Sequence, residues 1–197
     1  MKNLKTLILT VSLSVMFFSC SDDDDNQNSS PNFFIYGDTE IQLTDGIILD
    51  YGQYTEGVYN FDIVILDSEI NNMGGEPFPA NDTFSGVEFE LFTTNAEDLQ
   101  VGTYTFGSDE ANSYEYGVVY FNSSTQNFES LYIDSGTFTV LDNGSTYEFE
   151  FEGTVEDGTE FSGSFKGSLE AYDFSENLDR LGVSSKNKNN KFSKKKK

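Results

Sequence analysis

Between residues 33 and 172 apolar and polar side chains alternate with a period of two, in short runs separated by Gly, Asn and Asp. That period belongs to half-buried β-strands, not to helices. Strands are expected at residues 33–36, 41–43, 47–51, 57–66, 87–91, 104–106, 116–121 and 128–133. In residues 57–66 (GVYNFDIVIL) both faces become apolar toward the end, which predicts a central strand covered on both sides. Val87, Phe89 and Leu91 alternate with Glu88 and Glu90, which predicts one wet face. Residues 68–86 break the rhythm and read as a long loop, with Pro77-Phe78-Pro79 as an ordered aromatic knuckle.

The alternation is cleanest from Gly136 to Leu169. Thr137 to Val140 leads into an expected Asn143-Gly144 hairpin turn, after which Tyr147, Phe149 and Phe151 face one side and Glu148, Glu150 and Glu152 the other. A second turn at Asp157-Gly158 leads to Phe161, Gly163, Phe165, Gly167 and Leu169 on one face. Alternating rings and glycines suit a strongly curved sheet, and the segment reads as a three-strand antiparallel meander. Gly102-Thr-Tyr-Thr-Phe106 and Gly136-Thr-Phe-Thr-Val140 echo each other. About nine or ten strands and no amphipathic helix give an all-β fold, an antiparallel β-sandwich or a lipocalin-like barrel.

Composition agrees, since Phe, Tyr, Val, Ile, Thr and Gly dominate where Ala, Leu and Lys are scarce. Charge changes the picture more. All but four of the 34 acidic residues lie between Pro31 and Arg180, where Lys166 and Arg180 are the only bases. Seven of the 11 basic residues are lysines after Leu181. A body this acidic repels nucleic acid and anionic headgroups. Its charge suits solubility, divalent cations or cationic partners.

The N-terminus has its own pattern. Lys2 and Lys5 precede an apolar run from Leu7 to Phe18, too short to span a bilayer permanently but fit for an export signal. Phe17-Phe18-Ser19-Cys20 resembles a bacterial lipobox, with Phe17 where the common form has Leu. Ser21, Asp22, Asp23, Asp24 and Asp25 then resemble the acidic lipoprotein export signal of Bacteroidota. The resemblance implies cleavage between Ser19 and Cys20, lipidation of Cys20, and display on the outer face of the outer membrane. Two or more acyl chains give stable anchoring. Residues 57–172 are similar in style to the small β-rich lipoproteins of the same bacteria, most of which carry no assigned function. The expected organisation is a signal peptide at 1–19, a lipidated acidic and polar tether at 20–32, one β domain at 33–172 and a disordered lysine-rich tail at 173–197.

Chemistry is thin. The chain has no His or Trp and one Cys, which lipidation would consume. That excludes histidine-based catalysis and histidine metal sites, and no phosphate loop, GxSxG or calcium loop occurs. No catalytic residue, metal or cofactor is expected. Carboxylates are so abundant that pairs arise by chance, which leaves a carboxylate-based hydrolase as the third reading. A monomeric, non-catalytic surface module comes first, its partners the membrane through the lipid and a glycan or other surface component. A lipocalin-like or glycan-binding barrel comes second. Tyr51, Tyr54, Tyr114 and Tyr116, near strand ends beside polar residues, are the candidate ligand platforms.

Overall fold

The structure, a computed structural model, describes residues 32–175. The signal segment with Ser19 and Cys20, the acidic run after it and the lysines beyond Arg180 lie outside the described residues. In chain order the strands are β1 (Phe33–Tyr36), β2 (Thr39–Gln42), β3 (Asp45–Thr55), β4 (Val58–Leu66), β5 (Ile70–Met73), β6 (Glu76–Pro79) and β7 (Thr83–Thr93). They continue with β8 (Gly102–Phe106), β9 (Ser113–Ser124), β10 (Leu131–Asn143), β11 (Tyr147–Val155), β12 (Glu160–Gly167) and β13 (Glu170–Asp173). The described residues contain no helix.

Eleven strands form one sheet in the order β13-β3-β4-β7-β9-β8-β10-β11-β12-β1-β2. The count therefore exceeds the nine or ten expected. Pairing is antiparallel except for β13 beside β3 and β8 beside β9. The sheet curls into a half-barrel. Leu43 and Thr44 alone carry the chain from β2, at one edge, to β3 near the other. Three residue steps reach at most ~11 Å, so the two edges approach each other there. Ser168 and Leu169 bridge β12 to β13 in the same way.

The inner face is a packed aromatic core. Phe89 contacts Phe138, Phe151 and Phe161 with ring centroids 4.8, 5.6 and 6.4 Å apart, and Phe138 meets Phe149 at 4.9 Å. A second apolar cluster lies on the outer face of β3, β4, β7 and β9, built from Ile47, Leu49, Val64, Leu66, Val118 and Tyr120. With apolar clusters on both sides, β4 is the doubly covered central strand that its sequence predicts.

Curvature follows from cross-strand pairs of ring and glycine. Tyr147 opposes Gly167, Phe151 opposes Gly163 and Gly153 opposes Phe161. A Cβ on Gly163 would stand 2.5 Å from the Phe151 ring and 2.5 Å from the Phe33 carbonyl oxygen, so the ring fills the space a side chain would need. The echoing segments turn out to be partners: Tyr104 opposes Phe138, and Thr103 and Thr105 oppose Thr139 and Thr137. Each sends threonines outward and an aromatic ring inward, which explains the likeness without a repeat.

Three local expectations need correction. Residues 68–86 hold the β5–β6 hairpin, turned by Gly74 and Gly75 at φ +69° and +93°. Two prolines and two asparagines hide its alternation, yet a two-stranded ribbon tolerates proline because its outer side needs no ladder hydrogen bonds. Asn143 pairs with Tyr147, leaving a three-residue loop in which Asp142 Oδ1 accepts the Gly144 N–H at 3.0 Å. Gly158, by contrast, has the positive φ its turn predicts, +86°. Finally, Glu88 and Glu90 are enclosed, at 3% and 2% exposure, instead of lying on a wet face, and they share the outer side of the sheet with Val64, Val118 and Tyr120.

Candidate functional site

Outside the inner core, the β8–β10–β11–β12–β1 arc carries an ordered polar face. Two rows of side chains cross it in register. One runs Thr105, Thr137, Glu152, Ser162 and Ile35; the next runs Thr103, Thr139, Glu150, Ser164 and Phe33. Opposed side chains on neighbouring strands have Cβ atoms ~5 Å apart, so each row is continuous. The hydroxyls already couple: Thr103 Oγ1 lies 3.2 Å from Thr139 Oγ1, and Ser135 Oγ 2.7 Å from Thr154 Oγ1.

Two adjoining hollows open along these rows. One of about 450 Å³ is lined by Ser135, Thr137, Glu152, Thr154, Glu160 and Ser162 above Gly136 and Gly153. Its neighbour of about 350 Å³ adds Thr139, Glu150, Ser164 and Phe33 and shares Thr137, Glu152 and Ser162. Side chains are short here because Ser and Thr alternate with the core-facing rings, and glycines fall where strands crowd. The result is a shallow groove rich in hydroxyl donors and acceptors, with Glu150 and Glu152 along β11, Glu160 on β12 and no base among the described residues that line it. Nearby, Lys166 Nζ donates to Glu148 Oε2 at 2.7 Å, at the end of the same arc. Such a surface suits a neutral, hydroxyl-rich ligand and repels an anion. Glu150 and Glu152 are both exposed and lie on the same face of one strand, β11.

The four tyrosine candidates are not brought together. Tyr114 is fully buried in the inner core, edge-on to Phe89 at 5.5 Å and Phe106 at 5.4 Å, and burial pushes its hydroxyl pKa up. Tyr54 lies at the far end of β3, donates to Asp109 Oδ2 at 3.1 Å and packs on Phe92. Burial first, then that carboxylate, pushes its pKa up to about 12. Tyr51 stacks on Phe174 at 5.6 Å, and Tyr116, 9% exposed, meets Tyr132 edge-on. Being near a strand end does not make a tyrosine a platform when the neighbouring strands run past it.

A second polar group stands among apolar side chains on the outer face of β4 and β7. Asp62 opposes Glu90, Val64 opposes Glu88, and Glu90 opposes Tyr116. Asp62, Glu88 and Glu90 are only 1%, 3% and 2% exposed. Tyr120 donates its hydroxyl to Glu88 Oε2 at 2.5 Å, and Asn60 Nδ2 reaches Asp62 Oδ1 at 3.5 Å. Burial and then Glu88 push the Tyr116 pKa up. Sequence reasoning missed this cluster, because alternation with apolar residues normally marks the solvent side. The groove was missed for another reason: its rows exist only once five strands are in register. No family model, curated protein or solved structure matches this chain.

Proposed function

We propose that this protein is a non-catalytic binding module of the bacterial cell surface, anchored through a lipid on Cys20, whose polar groove takes a hydroxyl-rich saccharide. The observation that carries the ligand class is the pair of registered rows, Thr137–Glu152–Ser162 and Thr139–Glu150–Ser164, lining adjoining hollows with no cation among them. Carboxylates accept from vicinal sugar hydroxyls, and Ser and Thr both donate and accept, which makes the face adaptable to a neutral polyol. The filled aromatic interior supports a solid half-barrel over a lipocalin-like container. The lipobox-like segment and the acidic run after Cys20 support display outside the outer membrane.

A glycan array, followed by calorimetry on any hit, tests the ligand. Binding should fall about tenfold or more in Glu150→Ala and Glu152→Ala, as expected for losing a hydrogen bond to a charged group, and should persist in Tyr51→Ala. Binding that survives both glutamate changes would move the site elsewhere. For the address, Cys20→Ala should release the protein from membranes. Replacing Asp22, Asp23, Asp24 and Asp25 with Ala should abolish protease access on intact cells while membrane association stays. Retention of the Cys20→Ala protein in membranes would remove the anchor.

A further inference from the structure

The hydroxyls and carboxylates of the groove leave one of its walls unexplained. Each registered row ends on β1 in an apolar side chain: the row through Glu152 and Ser162 at Ile35, the row through Glu150 and Ser164 at Phe33. Phe34, between them, turns inward and is fully buried in the core, so Phe33 and Ile35 point outward, each half-buried. Ile35 lines the larger hollow and Phe33 the smaller. As alternate residues on one face of a strand, they stand ~7 Å apart.

We propose that Phe33 is a stacking platform, and that the groove takes a chain of pyranose rings with equatorial hydroxyls, of which β-linked glucose is the simplest. The inference rests on the saccharide reading and sharpens it. Three features carry it. The first is polarity: in both hollows the wall on β1 is apolar, while β10, β11 and β12 bring hydroxyls and carboxylates. A pyranose whose hydroxyls are all equatorial has the same division, with C–H groups on its faces and hydroxyls around its edge. An open-chain polyol has no such face.

The second feature is spacing. Phe33 and Glu150 lie two strands apart, ~10 Å of sheet, with only Ser164 between them in the row. Side chains on a strand stand roughly perpendicular to the sheet, so the short Ser162 and Ser164 leave a slot between the ring and the carboxylates. A sugar set in that slot lays its C–H face against Phe33. Its edge hydroxyls, and those of the next unit, then donate to Glu150 and Glu152. The third feature is the ring itself. Phe33 belongs to neither apolar cluster of the described residues, whereas Tyr51, Tyr54, Tyr114 and Tyr116 each pack against another ring.

The chain has no tryptophan, so Phe33→Trp places a single indole at the platform. Cellotetraose should change its emission in a saturable way, whereas sorbitol, which has hydroxyls but no ring, should not. With the unaltered protein, cellotetraose C–H proton resonances should move upfield through the ring current of Phe33. Phe33→Leu keeps the apolar bulk, and should lose that shift and weaken binding about three- to tenfold. Glu152→Ala should weaken binding too, but the upfield shift of the bound sugar should remain. Near-UV tyrosine dichroism reports that each variant is folded, and if Phe33→Leu does not fold, the Phe33→Trp emission decides. Emission indifferent to cellotetraose, or binding that needs Glu150 and Glu152 yet ignores Phe33→Leu, would overturn the platform and leave the saccharide reading standing. Sorbitol bound as tightly as cellotetraose would also overturn it. A glycan array without any hit would remove both readings.

Discussion

Tyr114 and Tyr147 are both drawn into the structure by their rings, but their hydroxyls meet opposite fates. Among the described residues no group bonds to the enclosed Tyr114 hydroxyl, whereas Tyr147 donates to both Asp98 oxygens at 2.8 and 2.9 Å. Leaving a buried hydroxyl unsatisfied costs ~1–3 kcal/mol, while a hydrogen bond to a charged group contributes ~1.5–3 kcal/mol. Tyr114→Phe keeps the edge-on contacts with Phe89 and Phe106 and should leave stability unchanged or raise it by about 1 kcal/mol. Tyr147→Phe should lower it by about 1–2 kcal/mol. Urea unfolding followed by tyrosine fluorescence gives both numbers on one scale. A loss in Tyr114→Phe as large as in Tyr147→Phe would mean that the enclosed hydroxyl has a bonding partner.

At the scale of elements, alternation made most strands and the C-terminal meander legible, because a period of two with one apolar face has few other interpretations. It was blind wherever neighbours decide the outcome. Glu88 and Glu90 are enclosed on a face they share with Val64, Val118 and Tyr120 of the neighbouring strands, which the pattern along β7 alone does not reveal. The β5–β6 hairpin went unread because asparagine and proline carry no alternation, although Gly74-Gly75 is an ordinary hairpin signal. Residues 128–133 and 137–140 looked like two strands but mostly form one, β10, whose register slips between Ile133 and Ser135 and breaks the count. Glycines opposite rings were legible as curvature, and they offer the sharpest test of it. Gly163→Ala brings a Cβ against both a core ring and a backbone oxygen, so neither neighbour yields easily. A loss of about 1–3 kcal/mol is expected, and Phe151→Leu in the same chain should recover only part of it because the Phe33 carbonyl remains. Full recovery would show that the ring alone sets the curvature.

On the whole molecule, a formal charge of −23 acts as a long-range force against folding. The described residues include one base, so the body cannot relieve this repulsion by internal pairing, and relief has to come from protons, salt or the chain's own cationic end. Burial is the main cause raising the pKa of Asp67 and of Asp50, where the Asp173 charge adds to it. A carboxyl with a raised folded pKa binds protons more tightly in the folded than in the unfolded state. Its stabilising contribution is therefore fully present below the ordinary aspartate pKa of ~3.9 and is lost as pH climbs through the raised folded value. Asp157 and Asp173 act in reverse, since hydrogen bonds from Thr159 and Ser175 lower theirs and that stabilisation is lost in stronger acid. Thermal melts should accordingly give a Tm that rises as pH falls from 8 toward about 4 and drops in stronger acid. Added salt should raise Tm at pH 8 by a few degrees, through screening of exposed charges, and much less near pH ~4, where carboxylates take up protons. A Tm that peaks at pH 8 and ignores salt would mean the acidic body is already neutralised by pairing, with the lysines after Leu181 as the nearest source of that charge.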